Sequence, residues 1–206
     1  MADWLKRNKK ICFIAGSAIL ICAVILCIFS VSEDVEKQNS DMPTLIVETP
    51  QKLSVSATDT FTLDVSISSL GEAVYPAASM SIAFDASRLE FLGVEEGNVF
   101  IKSDNTSGQT LPEWNYNTDT CNKSGLINIM YLDMTGGKYA FSRSLLADDS
   151  NVVLRLKFRL CGSARAGDVC DLIVEDAVFA ASDETQSLAM TSNTLTVKNG
   201  KLVIGE

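Results

Sequence analysis

From Thr44 onward, apolar and polar positions alternate with a period of two, and turn residues interrupt the alternation at short intervals. The clearest case is FTLDVSI (Phe61–Ile67), where Phe61, Leu63, Val65 and Ile67 share one side. In SMSIAF (Ser79–Phe84), Met80, Ile82 and Phe84 fall on one side, and the small residues Ser79, Ser81 and Ala83 on the other. The pattern predicts strands at Thr44–Thr49, Leu53–Ala57, Phe61–Ile67, Ala77–Phe84, Glu90–Val94, Leu126–Leu132, Val152–Leu160, Asp171–Phe179, Leu195–Lys198 and Lys201–Ile204. Asn199-Gly200 between the last two reads as a type I′ hairpin turn. A short helical turn is expected only at Tyr139–Ala147. Many short strands with non-adjacent pairing make an all-β, two-sheet sandwich.

The first 43 residues follow other rules. A basic tail, residues 1–10 with Lys6, Arg7, Lys9 and Lys10, precedes an uncharged apolar run, residues 11–32. As a helix this run measures about 33 Å, enough to cross the ~30 Å hydrocarbon layer. Basic residues on its N-terminal flank and Glu33, Asp34 and Glu36 on the other predict a signal anchor with the C-terminal body outside the cell. Segment length favours a single-pass membrane anchor over a cleaved signal peptide, although Ser30-Val31-Ser32 is a weak cleavage site that would give a secreted product. Residues 33–43 are a polar tether, leaving residues 44–206 as the exported domain.

Charge and composition then narrow the function. The net charge is −9, and the first 42 residues are balanced, so the exported body carries all of it and repels nucleic acid. There is no histidine, which removes Ser-His-Asp and Cys-His nucleophiles, His general bases and imidazole zinc sites. Phosphate-binding, nucleophile-elbow and EF-hand motifs are also missing. Adjacent carboxylates such as Asp148-Asp149, Glu175-Asp176 and Asp183-Glu184 are expected to diverge on strands or stay solvated in loops. These features point to a binding module, not an enzyme, and no metal site or cofactor is called for. Cys161 and Cys170 flank CGSARAGDVC, read as a hairpin tip; a cross-strand disulfide and two reduced thiols are equally consistent with that spacing.

Several segments in order resemble the cohesin family. They are Ala57-Thr58-Asp59-Thr60-Phe61-Thr62-Leu63, then Ser81-Ile82-Ala83-Phe84-Asp85-Ala86-Ser87-Arg88-Leu89-Glu90, then Glu96-Gly97-Asn98-Val99. Gly125-Leu126-Ile127-Asn128-Ile129, Thr135-Gly136-Gly137, Val152–Leu160 and Asn199-Gly200-Lys201-Leu202-Val203-Ile204 follow, so the resemblance covers about residues 46–205. It implies a jelly-roll β-sandwich of about nine strands that captures dockerin modules in cellulosomes, with calcium in the partner's EF-hand-like loops.

The resemblance also implies a flat protein-binding face. Ala77, Ser79, Ser81 and Ala83 are expected at its centre, with Trp114, Tyr116, Ile127, Ile129 and Tyr131 around them. The same residues admit a second arrangement, in which Trp114, Tyr116, Ile127, Ile129 and Tyr131 are core and Asn128, Met130 and Leu132 face the partner. Two functions follow. The first is a membrane-anchored module that holds dockerin-bearing, polysaccharide-degrading enzymes at the cell surface. The second is a carbohydrate-binding module in which Trp114, Tyr116 and Tyr131 stack on sugar, or a plain adhesion sandwich.

Overall fold

A computed structural model describes residues 42–54, 59–71, 73–99, 113–143 and 151–205. The expected membrane segment, most of the tether and Asp148-Asp149 lie outside the described residues. Among the described residues, nine strands and one short helix follow in chain order: β1 (Thr44–Val47), β2 (Thr60–Ile67), β3 (Ala77–Ala83), β4 (Leu89–Glu96), α1 (Thr118–Ser124), β5 (Leu126–Leu132), β6 (Val152–Leu160), β7 (Val169–Ala180), β8 (Thr196–Lys198) and β9 (Gly200–Val203). They form a five-stranded sheet, β4-β6-β2-β1-β8, and a four-stranded sheet, β5-β3-β7-β9.

The inward side chains of the two sheets make one core. Phe158 of β6 meets Phe61, Phe84 and Phe91 at ring separations of 6.0, 5.6 and 5.7 Å. A second cluster centres on Phe141, which sits 4.9 Å from Tyr131 and 5.5 Å from Phe179. Such offset and edge-on ring contacts add to the area that the rings bury. On the outer side of the five-stranded sheet, Arg155, Lys157 and Arg159 alternate with the buried Leu154, Leu156, Phe158 and Leu160 of β6. They are ion-paired with Asp64, Glu95 and Glu90 respectively.

Several local expectations give way to tertiary pairing. Asn199-Gly200 makes no hairpin, because its flanks belong to different sheets. β8 runs parallel to β1, and β9 runs antiparallel to β7. Asn199 is the crossing point, and its Oδ1 accepts a hydrogen bond from the Val174 N–H at 3.0 Å. Gly200 is required for space: a Cβ there would lie 2.9 Å from side-chain methyls of Val47 and Thr49. Cys161 and Cys170 likewise flank no hairpin, since β6 and β7 lie in different sheets, and both are free thiols. Of the expected Leu53–Ala57 strand, the described part forms a single parallel bridge, Leu53 with Ile204. Of the expected helical turn at Tyr139–Ala147 only residues 139–143 are described, and Phe141 there bridges Tyr75.

The helix α1 lies outside the alternating pattern, although its capping residues are visible in the sequence. Asn117 accepts from the Thr120 N–H at 2.9 Å as N-cap, and the Gly125 N–H closes the other end on the Cys121 carbonyl. Its Asn122 side chain bonds both the N–H and the carbonyl of Phe91, at 2.8 and 2.9 Å. That pairing satisfies backbone groups on the outer edge of β4, which would otherwise invite another strand.

Two aspartates fasten turns in this frame. Burial pushes the Asp133 carboxyl up, but hydrogen bonds from Thr135 and from the N–H groups of Thr135, Gly137 and Tyr139 hold it below its ordinary value. Asp85 is lowered first by the Ser87 hydroxyl and further by Arg88. Both folded-state values are below the unfolded ones. Their contribution is therefore complete above about pH 4 and is lost as pH falls through the depressed values. Thermal melts from about pH 5 to about pH 2 should show a falling midpoint, with a shallower fall in Asp133→Asn. An unchanged acid limb in that variant would refute the role given to Asp133.

Candidate binding face

β3 carries the middle of the four-stranded sheet. Ala78, Met80 and Ile82 are buried, while Ser79 is exposed and Ala77, Ser81 and Ala83 are half-buried on the outer side. Its neighbours extend this surface in rows. Leu132 and Ala180 flank Ala77, Met130 and Val178 flank Ser79, Asn128 and Asp176 flank Ser81, and Leu126 and Ile173 flank Ala83. Met130, Leu132 and Ile173 are 54%, 46% and 45% exposed. Small residues thus form a shallow floor between exposed apolar side chains. One polar row crosses it, in which the Ser81 hydroxyl donates to Asn128 Oδ1 at 2.7 Å.

The larger residues expected on this face are turned the other way. Ile127, Ile129 and Tyr131 are 0%, 3% and 1% exposed and point into the core. The reason is register: β5 pairs with β3 so that Ile127, Ile129 and Tyr131 lie opposite Ile82, Met80 and Ala78, all inward. The Tyr131 hydroxyl donates to the Tyr139 carbonyl at 2.7 Å, and burial, with the Asp133 charge next, raises its pKa. Asn128, Met130 and Leu132 take the outer positions.

Trp114 and Tyr116 also leave the face. Between them, Asn115 exchanges two backbone hydrogen bonds with Met130, at 2.7 and 3.0 Å, so residues 114–116 run along the free edge of β5. Trp114 packs on Tyr131 and Phe141, with rings 5.3 and 6.2 Å apart. Tyr116 packs edge-on against Phe91 at 5.7 Å, which leaves it partly exposed. The two rings seal the gap between the sheets beside β5. They offer no flat aromatic platform.

β7 departs from strict alternation where it crosses the face. The pairing with β3 shifts between Ser81 and Ile82, so Ser81 faces Asp176 and Ile82 faces Val174. Glu175 is the extra residue, and both it and Asp176 are exposed. A bulge therefore displays two adjacent carboxylates that regular alternation would have separated.

Cys161 and Cys170 lie away from this face's centre. Burial, followed by the charge of Asp85, pushes the Cys170 thiol up to about 11; burial, followed by Glu90, raises Cys161. Neither is a ready thiolate at about pH 8. Alkylation of the folded protein should reach the half-buried Cys161 slowly and leave Cys170 unmodified, with both labelled in denaturant without reductant. Labelling that requires reductant would contradict free thiols. Among the described residues no group of Cys, Asp and Glu is arranged to hold a metal ion.

The two-sheet sandwich, with a shallow outer face of small and apolar residues crossed by one polar row, defines a class, the β-sandwich modules. A profile for the cohesin domain matches residues 44–199, and the chain belongs to that family of non-catalytic binding modules. Three solved structures show the same fold. The third cohesin of ScaC from Acetivibrio cellulolyticus, in complex with the ScaB dockerin, has a TM-score of 0.56 at 13% identity, covering 80% of this chain and 100% of that one. The Coh-OlpA–Doc918 complex from Clostridium thermocellum gives 0.55 at 16%, covering 80% and 99%. The cohesin CaCohA2 from Clostridium acetobutylicum gives 0.51 at 23%, covering 80% and 91%. A sequence comparison with curated proteins gives no match.

Proposed function

We propose that this cohesin is a receptor held at the outer surface of the cell membrane, and that it captures dockerin-bearing proteins, polysaccharide-degrading enzymes among them. The observation that carries the reading is the outer face of the four-stranded sheet. Its small floor along β3 lets a helix lie close, and Met130, Leu132, Val178 and Ile173 supply apolar contacts on both sides. Interfaces of this kind gain most from a few desolvated apolar anchors. Calcium belongs to the dockerin loops, so this chain needs no metal of its own. Residues 11–32 supply the anchor and residues 33–43 the spacer.

Immobilised full chain should retain dockerin-bearing proteins in calcium and release them on chelation. Retention of none, with binding to a glycan array instead, overturns the reading. A glycan platform is the weaker alternative because Trp114 and Tyr131 pack inward and Tyr116 lies edge-on to Phe91. For the anchor, the chain should stay with membranes through a carbonate wash; a soluble product beginning near Ser32 would replace it with a cleaved signal.

A further inference from the structure

The two outer faces of the sandwich treat acidic residues differently. On the five-stranded sheet, Asp64, Glu95 and Glu90 each meet a cation from β6. On the four-stranded sheet, the carboxylates of Glu175 and Asp176 have no ion-pair or hydrogen-bond partner among the described residues. Asp176 also sits at a special place. It ends the polar row with Ser81 and Asn128, with Val178 on one side along its strand and Ile173 beyond the bulge on the other.

An unpaired carboxylate among exposed apolar side chains sets a condition on whatever covers it. A wholly apolar helix would strip water from Asp176 and return nothing, which is costly. A helix with a Lys or Arg at that position would pair with the charge, and apolar residues one turn before and after would meet the Val178 and Ile173 rows. We propose that Asp176 is a specificity-determining residue of the docking face. It selects dockerins whose docking helix carries a cation flanked by apolar residues, and Glu175 strengthens the local negative field. This rests on the reading of the face given above. The β7 bulge is the structural device, because without it Glu175 and Asp176 would point to opposite sides of the sheet.

The test uses full chain in detergent, immobilised as bait for a displayed library of dockerin domains with randomised exposed helix positions, in calcium. Wild type should enrich Lys or Arg at one helix position between apolar ones. Asp176→Lys should enrich Asp or Glu at that same position. For a dockerin recovered on wild type, Asp176→Asn should weaken binding about tenfold and flatten its salt dependence. Asp176 is exposed and unpaired, so both variants should melt with wild type. If wild type and Asp176→Lys recover the same dockerins without charge preference, the inference falls and the docking face stands. If neither bait recovers any dockerin, the reading of the face falls and the inference with it.

Discussion

Replacing Met130 with aspartate should weaken dockerin binding about 100-fold or more while leaving the melting temperature nearly unchanged. Met130 is the most exposed large apolar side chain of β5, directly opposite Ser79 at the centre of the sheet. Its backbone groups bond Asn115 and are untouched by the substitution. A helix covering this position would desolvate the new carboxylate against Leu132 and Val178, while the helix cation proposed above is engaged by Asp176 one row away. An unpaired charge at a desolvated contact costs about 2–5 kcal/mol, and about 2.7 kcal/mol corresponds to 100-fold in affinity. Leu132→Ala, which removes contact area without adding charge, should cost less, about 1–2 kcal/mol. Calorimetric titration with one dockerin would measure both. Equal affinity of Met130→Asp and wild type would move the docking site off this sheet.

The strands of this protein are legible in its sequence, and the side of the sheet each residue faces is legible only in part. β5 and β6 begin and end where alternation places them. In β3 the contrast between Met80 and Ile82 on one side and Ser79 and Ser81 on the other identifies the buried side directly. In LINIMYL the contrast is weaker, since Asn128 is the one polar residue of the strand. Leu126, Met130 and Leu132 are as apolar as Ile127, Ile129 and Tyr131, so Asn128 alone marks by period two which set faces outward. An outer face that is itself largely apolar weakens the signal that would locate it. Pairing with β3 resolves the question, and that pairing is a property of the fold.

The other departures from the sequence pattern share a cause: long-range partners outweigh local turn chemistry. Asn199-Gly200 has the composition of a hairpin, but its two flanks find better partners in opposite sheets. Glu175-Asp176 looks like an ordinary strand pair until the Ser81–Asp176 register forces a bulge. The 161–170 segment resembles a hairpin tip, yet it carries the chain from one sheet to the other. The same ambiguity does not touch the function class. Absence of histidine rests on composition and absence of nucleophile motifs on local order, neither of which depends on the side a strand faces, and membership of a non-catalytic family agrees with both.

Gly97→Ala should be the most damaging single methyl in the described residues. Glu96-Gly97-Asn98-Val99 is visible in the sequence as a motif, but the reason for its glycine is visible only in three dimensions. A Cβ at Gly97 would lie 1.9 Å from the Val152 carbonyl oxygen and 2.6 Å from the carbonyl carbons of Val152 and Val153. These are backbone atoms, which cannot swing aside as a side chain would. Around them, the N–H groups of Asn98 and Val99 both donate to the Val152 carbonyl, at 2.8 and 3.1 Å, and the Val152 N–H donates to Asn98 Oδ1 at 2.8 Å. Making room for one methyl means separating the end of β4 from the start of β6, stretching those bonds and uncovering the fully buried Val99. Overpacking of about 1–3 kcal/mol and lost hydrogen bonds near 1 kcal/mol each give a destabilisation of about 3–5 kcal/mol. For a domain this size the melting temperature should fall by roughly 10 °C. Gly162→Ala is the matched control, since nothing lies within 4 Å of a Cβ there. If the two variants melt together, the contact between Gly97 and Val152 is not what holds β4 to β6.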